Sequence, residues 1–198
     1  NDFDKIKDSY WSDDFNPRYV EVSFGNTCNF ACAYCGPQYS SKWVEEIEKH
    51  GGYPTEHNFN SIEDIKSRDQ MPYKQTEHNP YIEAFWKWWP NLFPDLHTFR
   101  ITGGEPLLLK DTFKVLEYIQ KHHNQNSKIS LAINTNLGVP DKLLEKFITI
   151  AKDLCENNKV RELIIFTSVE GTNKQAEYTR HGLEYDKFWS NIDKVLTE

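Results

Sequence analysis

The chain has 198 residues, of which 38% are hydrophobic and 27% charged, a composition typical of a soluble globular protein. Its formal net charge of −7 gives no general attraction to nucleic acid, so a nucleic-acid partner is not expected. No apolar run approaches the roughly 20 residues that a membrane-spanning helix needs, and residues 1–10 are too charged for a signal peptide. We therefore expect a cytoplasmic protein without membrane contact.

The length favours one domain over residues 1–198. Residues 1–17 show no sustained period and are predicted to be an irregular lead-in. The chain starts with Asn1 and stops at Glu198 inside a helical pattern. We therefore expect a piece of a longer protein whose C-terminal part is absent.

Three of the four cysteines, Cys28, Cys32 and Cys35, stand in one short loop between a predicted strand (residues 20–24) and a predicted helix (residues 41–50). The pattern supplies three thiolates, whereas ordinary four-iron clusters and structural zinc sites use four protein ligands. Two interpretations follow: a cubane cluster with one open iron, or a catalytic zinc with one open position. The fourth cysteine, Cys155, is predicted to be a small buried apolar residue and not a ligand.

Residues 51–80 form a polar insertion without a strong period, and such segments commonly serve as lids or docking surfaces. His50, His57 and His78 lie in it or at its ends, but their spacing matches no compact metal site. They are predicted to be ordinary surface histidines.

An aromatic-rich segment follows at residues 81–93 and predicts a short helix that ends at Pro90. Its tryptophans, Trp86, Trp88 and Trp89, are expected mainly to pack in the core. A substrate platform, or the seat of a missing domain, is the alternative use.

Strands and helices then alternate. The predicted strands are residues 97–102, 128–133 and 160–167, and the predicted helices are residues 111–123, 140–155 and 185–196. This order indicates parallel βαβ units with right-handed crossovers. The last strand is almost continuously apolar from Leu163 to Phe166, so it is expected to be buried on both faces.

In such folds ligands bind at the carboxyl ends of the strands. The unusual polar residues lie in the loops that follow the four predicted strands: the cysteine loop and residues 103–106, 134–138 and 168–171. These loops are expected to converge at one mouth.

The sequences CNFACAYC, after the first predicted strand, and GGEP, after the second, resemble the paired signatures of the radical S-adenosylmethionine (radical SAM) superfamily. The resemblance covers residues 19–198 except 51–80. It implies an α/β fold, a partial (β/α)6 TIM-like barrel of parallel strands, here truncated after the fourth βα unit. It also implies a 4Fe-4S cluster on Cys28, Cys32 and Cys35, with S-adenosylmethionine (SAM) chelating the fourth iron.

The resemblance implies an activity as well. An electron from a flavodoxin- or ferredoxin-type donor passes through the cluster and cleaves SAM to a 5′-deoxyadenosyl radical, which abstracts hydrogen from a peptide or small-molecule substrate. A twitch or SPASM subgroup is expected, with any auxiliary clusters beyond residue 198. The alternatives are a non-catalytic iron-sulfur or zinc module, and a radical SAM enzyme that modifies RNA or a nucleotide.

Roles for individual residues follow from the same resemblance. Gly103 and Gly104 let the backbone approach the SAM ammonium group and present carbonyls to it, Glu105 adds a negative charge, and Pro106 completes this cofactor-binding loop. A plain tight turn between strand and helix, in which Pro106 only breaks the strand, is the alternative.

Tyr34 holds the family's usual aromatic position near adenine. The ribose and methionyl contacts are assigned to Asn134, Asn136, Ser168 and Glu170, although many members carry Asp in place of Glu170. Arg180 matches an Arg-x-Gly whose guanidinium reaches the SAM carboxylate. The alternative for Arg180 is a surface pair with Glu177 or Glu184.

Overall fold

A computed structural model describes residues 2–52, 54, 56 and 61–197, so His57 lies outside the described residues. The strands are β1 (Tyr19–Ser23), β2 (Ala31–Cys32), β3 (Thr98–Thr102), β4 (Ser130–Asn134), β5 (Glu162–Phe166) and β6 (Arg180–His181). The order β1-β3-β4-β5 forms one parallel sheet, and β2 pairs with β6 in an antiparallel ribbon. The fold is therefore the predicted α/β type, consistent with a partial TIM-like barrel.

The helices are α1 (Asp2–Lys7), α2 (Ser41–His50), α3 (Ile62–Ser67), α4 (Pro80–Leu92), α5 (Lys110–His122), α6 (Asp141–Glu156), α7 (Asn173–Thr179) and α8 (Tyr185–Thr197). None of the described helices is long and apolar enough to cross a membrane. The predicted alternation of strands and helices is confirmed, with element ends that move by one or two residues.

The core lies on the helix-covered face of the sheet. Phe99 of β3 and Leu131 of β4 are paired in register and fully buried. The indole of Trp89 packs on the ring of Phe99 with 4.6 Å between centroids. Burial of these large side chains supplies most of the force that holds helices onto the sheet. Trp89 thus confirms the expected core role, whereas Trp88 is largely exposed.

The prediction that residues 160–167 are buried on both faces is wrong. Ile164 and Phe166 of β5 are 36% and 44% exposed, and only the alternate residues Leu163 and Ile165 pack against the core. Strand β5 is one of the two outer strands of the described sheet, and Ile164 and Phe166 lie on the face that carries Arg100, whose guanidinium is 4.7 Å from the Phe166 ring centroid. An apolar run does not by itself distinguish a central strand from an edge strand.

Three further expectations are corrected. The lead-in is not wholly irregular, because α1 occupies residues 2–7. Helix α4 continues past Pro90 to Leu92, since a proline removes a single backbone donor and the buried side chains around it hold the last turn. Cys155 is exposed, because one helical step past the buried Leu154 turns its side chain away from the core.

The insertion contains α3, whose first turn is capped by the Ser61 hydroxyl accepting from the Asp64 N–H at 3.0 Å. The side chain of Gln75 donates to Thr27 Oγ1 at 2.9 Å. The C-terminal part of the insertion therefore lies against the start of the cysteine loop.

Candidate functional site

The cysteine loop is anchored to the start of α2 at two points. The N–H of Cys28 donates to Ser41 Oγ at 3.1 Å, at the start of α2, and the indole N–H of Trp43 donates to the Cys32 carbonyl at 2.9 Å. In the β2–β6 ribbon Cys32 pairs with Arg180. This ribbon brings a residue about 150 positions away next to the cysteines, which periodicity alone does not reveal.

An open cavity of about 190 Å³ lies where the loops after β1, β3, β4 and β5 meet, as expected for the carboxyl edge of a parallel sheet. Ten of the thirteen residues singled out from the sequence line it: Cys28, Cys32, Tyr34, Cys35, Gly103, Gly104, Asn134, Asn136, Ser168 and Arg180. Within the described part of the chain, no three His, Cys, Asp or Glu side chains form a preassembled site for a single metal ion. The three cysteines therefore line one cavity, but their side chains are not arranged around a single metal ion.

The thiols are partly shielded from solvent. Burial raises the pKa of Cys28 to about 11, and the nearby charge of Glu105 acts in the same direction. Burial also raises the pKa of Cys35. A metal centre bound here would displace these protons, since thiolates are the ligating form.

The two glycines after β3 pack against the start of the cysteine loop. A Cβ on Gly104 would lie 2.4 Å from the Thr27 carbonyl oxygen, and Gly103 has a φ of +115°. The Gly104 N–H donates to the Gly25 carbonyl at 3.1 Å. Close packing of two loops therefore requires glycine here, whatever the carbonyls bind.

Glu105 does not line the cavity. Its side chain is 0% exposed, and its carboxylate accepts from Thr135 Oγ1 at 2.7 Å, the Asn136 N–H at 2.6 Å and the Leu107 N–H at 2.9 Å. Burial raises its pKa, and these hydrogen bonds oppose the rise. The carboxylate thus joins the loops after β3 and β4 behind the cavity wall, instead of lying beside a bound ligand as expected.

Pro106, also outside the cavity, starts a buried 3-10 turn, Pro106–Leu108. Strand β3 has already ended at Thr102, so Pro106 does not itself end the strand.

Arg180 is 7% exposed and lines the cavity. One guanidinium nitrogen donates to the Ser168 carbonyl at 2.5 Å, and the Glu170 carboxylate lies 3.6 Å away. The buried Nε has no hydrogen-bond partner among the described residues. The alternative of a surface pair with Glu177 or Glu184 is wrong, because Arg180 is buried and forms its ion pair with Glu170.

Glu170 lies at the cavity rim, where it accepts a hydrogen bond from the Tyr34 hydroxyl at 3.0 Å. Asn134 Oδ1 accepts from Arg100 Nε at 2.9 Å. Arg100 was not singled out from the sequence. Its place on the open face of β3, in register with Glu21, was the available signal.

Comparison with known proteins adds the decisive observation. The Radical SAM superfamily profile matches residues 22–196. The chain belongs to the radical SAM superfamily. Members of this superfamily generally use a 4Fe-4S cluster and SAM.

Two curated relatives of this radical SAM chain match over part of their lengths. A GTP 3′,8-cyclase of Aliarcobacter butzleri is 30% identical over 128 residues, which cover 65% of this chain and 30% of the relative. A corticosteroid-binding protein of Candida albicans is 35% identical over 98 residues, which cover 50% of this chain and 16% of the relative. The chain thus matches less than a third of either relative. No solved structure matches it.

The residues present fit the cofactors of a radical SAM enzyme. Three thiols from one loop reach the cavity and leave one corner of a cubane without a protein ligand. The Nε of Arg180 is a buried donor to which the described residues offer no acceptor, and buried donors without partners are rare in folded proteins. An anionic ligand group in the cavity would complete its hydrogen bonding.

Proposed function

We propose that Cys28, Cys32 and Cys35 hold a 4Fe-4S cluster in this cavity and that SAM binds at the iron they leave open. The observation that carries the proposal is the meeting of the three cysteines with the buried, incompletely bonded Arg180 at one cavity. When bound, the cluster and SAM supply a 5′-deoxyadenosyl radical for hydrogen abstraction from a substrate.

The side chains around the cavity have separate tasks in this proposal. Arg180 binds the SAM carboxylate, and Gly103 and Gly104 present backbone carbonyls to the SAM ammonium group. Tyr34 would lie near the adenine, with Glu170 holding its hydroxyl at the rim. Asn134 and Ser168 contact the ribose and methionyl groups.

The substrate is proposed to be a peptide or small molecule, in a twitch or SPASM subgroup, because the Arg180-His181-Gly182 segment matches peptide-modifying members. A flavodoxin- or ferredoxin-type donor in the cytoplasm would supply the electron. A nucleotide substrate is the second candidate, and the observation that favours it is the 30% identity with a GTP 3′,8-cyclase.

Anaerobic reconstitution with iron and sulfide, followed by reduction with SAM present, tests the proposal. We expect about four irons per chain, as the proposed cubane requires, and formation of 5′-deoxyadenosine. Zinc without iron in anaerobically purified protein, or a full cluster that never cleaves SAM, would contradict it. Faster 5′-deoxyadenosine formation with GTP than with candidate peptides would favour the nucleotide substrate.

A further inference from the structure

The side-chain amide of Asn136 has its orientation set by its neighbours. The residue is 6% exposed, and its Oδ1 accepts from the Gly138 N–H at 2.8 Å. A backbone N–H can only donate, so the oxygen of the amide must face Gly138. The Nδ2 group therefore points the other way, toward the cysteine loop.

Each hydrogen of that Nδ2 group has a partner. One acceptor is Asn29 Oδ1 at 3.0 Å, and the other is Cys28 Sγ at 3.9 Å. The orientation of Asn29 is fixed as well, because its own Nδ2 donates to the Gly138 carbonyl at 2.8 Å. Asn29, Asn136 and Gly138 thus close a ring of hydrogen bonds, in which the Gly138 N–H sets the orientation of the Asn136 amide and so turns its second hydrogen toward the sulfur.

Cys28 Sγ accepts from the Phe30 backbone N–H too, at 3.5 Å. Hydrogen bonds to the ligating sulfurs are among the factors that set the reduction potential of an iron-sulfur cluster. A donor stabilises the more negatively charged, reduced state and so raises the potential.

We infer that Asn136 is a positioning residue that raises the reduction potential of the cluster by donating to Cys28 Sγ. The inference rests on the proposed function, in which Cys28 is a cluster ligand. It differs from the SAM contact expected from the sequence, because both hydrogens of the Asn136 amide are already engaged.

A redox titration of the reconstituted protein in the absence of SAM, monitored by electron paramagnetic resonance, tests this inference. Asn136→Leu and Asn136→Ala remove the donor without adding charge, and both should shift the midpoint potential to more negative values. Asn29→Ala is the matched control, since it breaks the ring but leaves the Asn136 oxygen held by Gly138 and its Nδ2 facing the sulfur. The control should keep the parent potential.

An unchanged or more positive potential in the Asn136 variants would overturn the inference. An equal shift in Asn29→Ala would overturn it too, because a mechanical role in holding the loop would then explain both results. Failure of both Asn136 variants to take up a cluster would likewise assign Asn136 to loop assembly. In each of these outcomes the parent protein still binds its cluster and cleaves SAM, so only the inference about Asn136 fails. A parent protein without a reducible cluster would instead contradict the proposed function itself.

Discussion

The cavity has two walls, and they differ in how completely the protein satisfies the hydrogen-bonding capacity of their polar groups. The inner wall, Gly103, Gly104 and residues 134–136, follows the central strands β3 and β4, and the Glu105 carboxylate behind this wall receives three hydrogen bonds. The outer wall, Tyr34, Ser168, Glu170 and Arg180, belongs to the sheet edge and the β2–β6 ribbon. There Tyr34 is 60% exposed and Arg180 Nε lacks a described partner.

This difference separates scaffold from ligand contact. Bonds that the protein has already formed contribute to its stability, whereas a buried donor without a partner retains its bonding capacity for a ligand. Changes in the inner wall should therefore lower the free energy of unfolding. Changes in the outer wall should weaken cofactor binding, and the cysteines decide whether a cluster forms at all.

The largest effect is expected at the cysteines. Cys28→Ala, Cys32→Ala or Cys35→Ala should each abolish cluster binding, because a cubane held by three thiolates has no replacement ligand in the loop. Cys155→Ala is the control and should retain the full iron content. Iron and sulfide analysis after anaerobic reconstitution measures both. Equal iron loss at Cys155 would show that the ligand set is wrong.

Arg180→Gln tests the outer wall. Loss of a charge-assisted hydrogen bond, roughly 1.5 to 3 kcal/mol, should weaken SAM binding about 10- to 100-fold while the iron content stays unchanged. Equilibrium binding of SAM to the reconstituted protein measures the effect. Arg161→Gln, an exposed arginine paired with Glu162, is the matched control. If Arg180→Gln bound SAM as tightly as the parent protein does, Arg180 would not be a SAM-binding residue.

Glu105→Gln tests the inner wall. The amide group would face one of the donors that now bind the carboxylate, so the free energy of unfolding should fall by about 1 to 3 kcal/mol. Urea denaturation of the cluster-free protein measures this, with the exposed Glu48→Gln as control. If the variant were as stable as the parent but bound SAM more weakly, Glu105 would contact the ligand, as expected from the sequence.

Tyr34→Phe should have the smallest effect. The lost hydrogen bond to Glu170 lies at the exposed rim, and such a bond contributes on the order of 1 kcal/mol or less. SAM affinity should fall by a few-fold at most, because the ring that faces adenine is kept. A loss as large as that in Arg180→Gln would mean that the rim is closed by ligand and not open to solvent.

Local pattern predicted much of this fold. The strand and helix periods of the apolar residues located β3, β4 and α6 to within two residues of their ends, and the spacing of Cys28, Cys32 and Cys35 indicated a ligand set with one position open. The same reasoning failed for β5 and Cys155, since burial depends on which neighbours cover a segment. It also did not find Arg100 or Asn29, whose partners lie far away in the chain.

The sequence by itself determined the order of strands and helices, the loop that carries the cysteines and the membership of their pattern in a superfamily, because these are properties of short stretches. Only the tertiary structure decided that Glu105 faces the protein and Arg180 the cavity. Each of these two residues carries one charge in a short segment, Glu105 after a strand and Arg180 in the ribbon. They differ in the hydrogen bonds that other parts of the fold supply. Three donors from other loop positions surround the carboxylate, whereas the guanidinium keeps a donor for which the described chain supplies no acceptor.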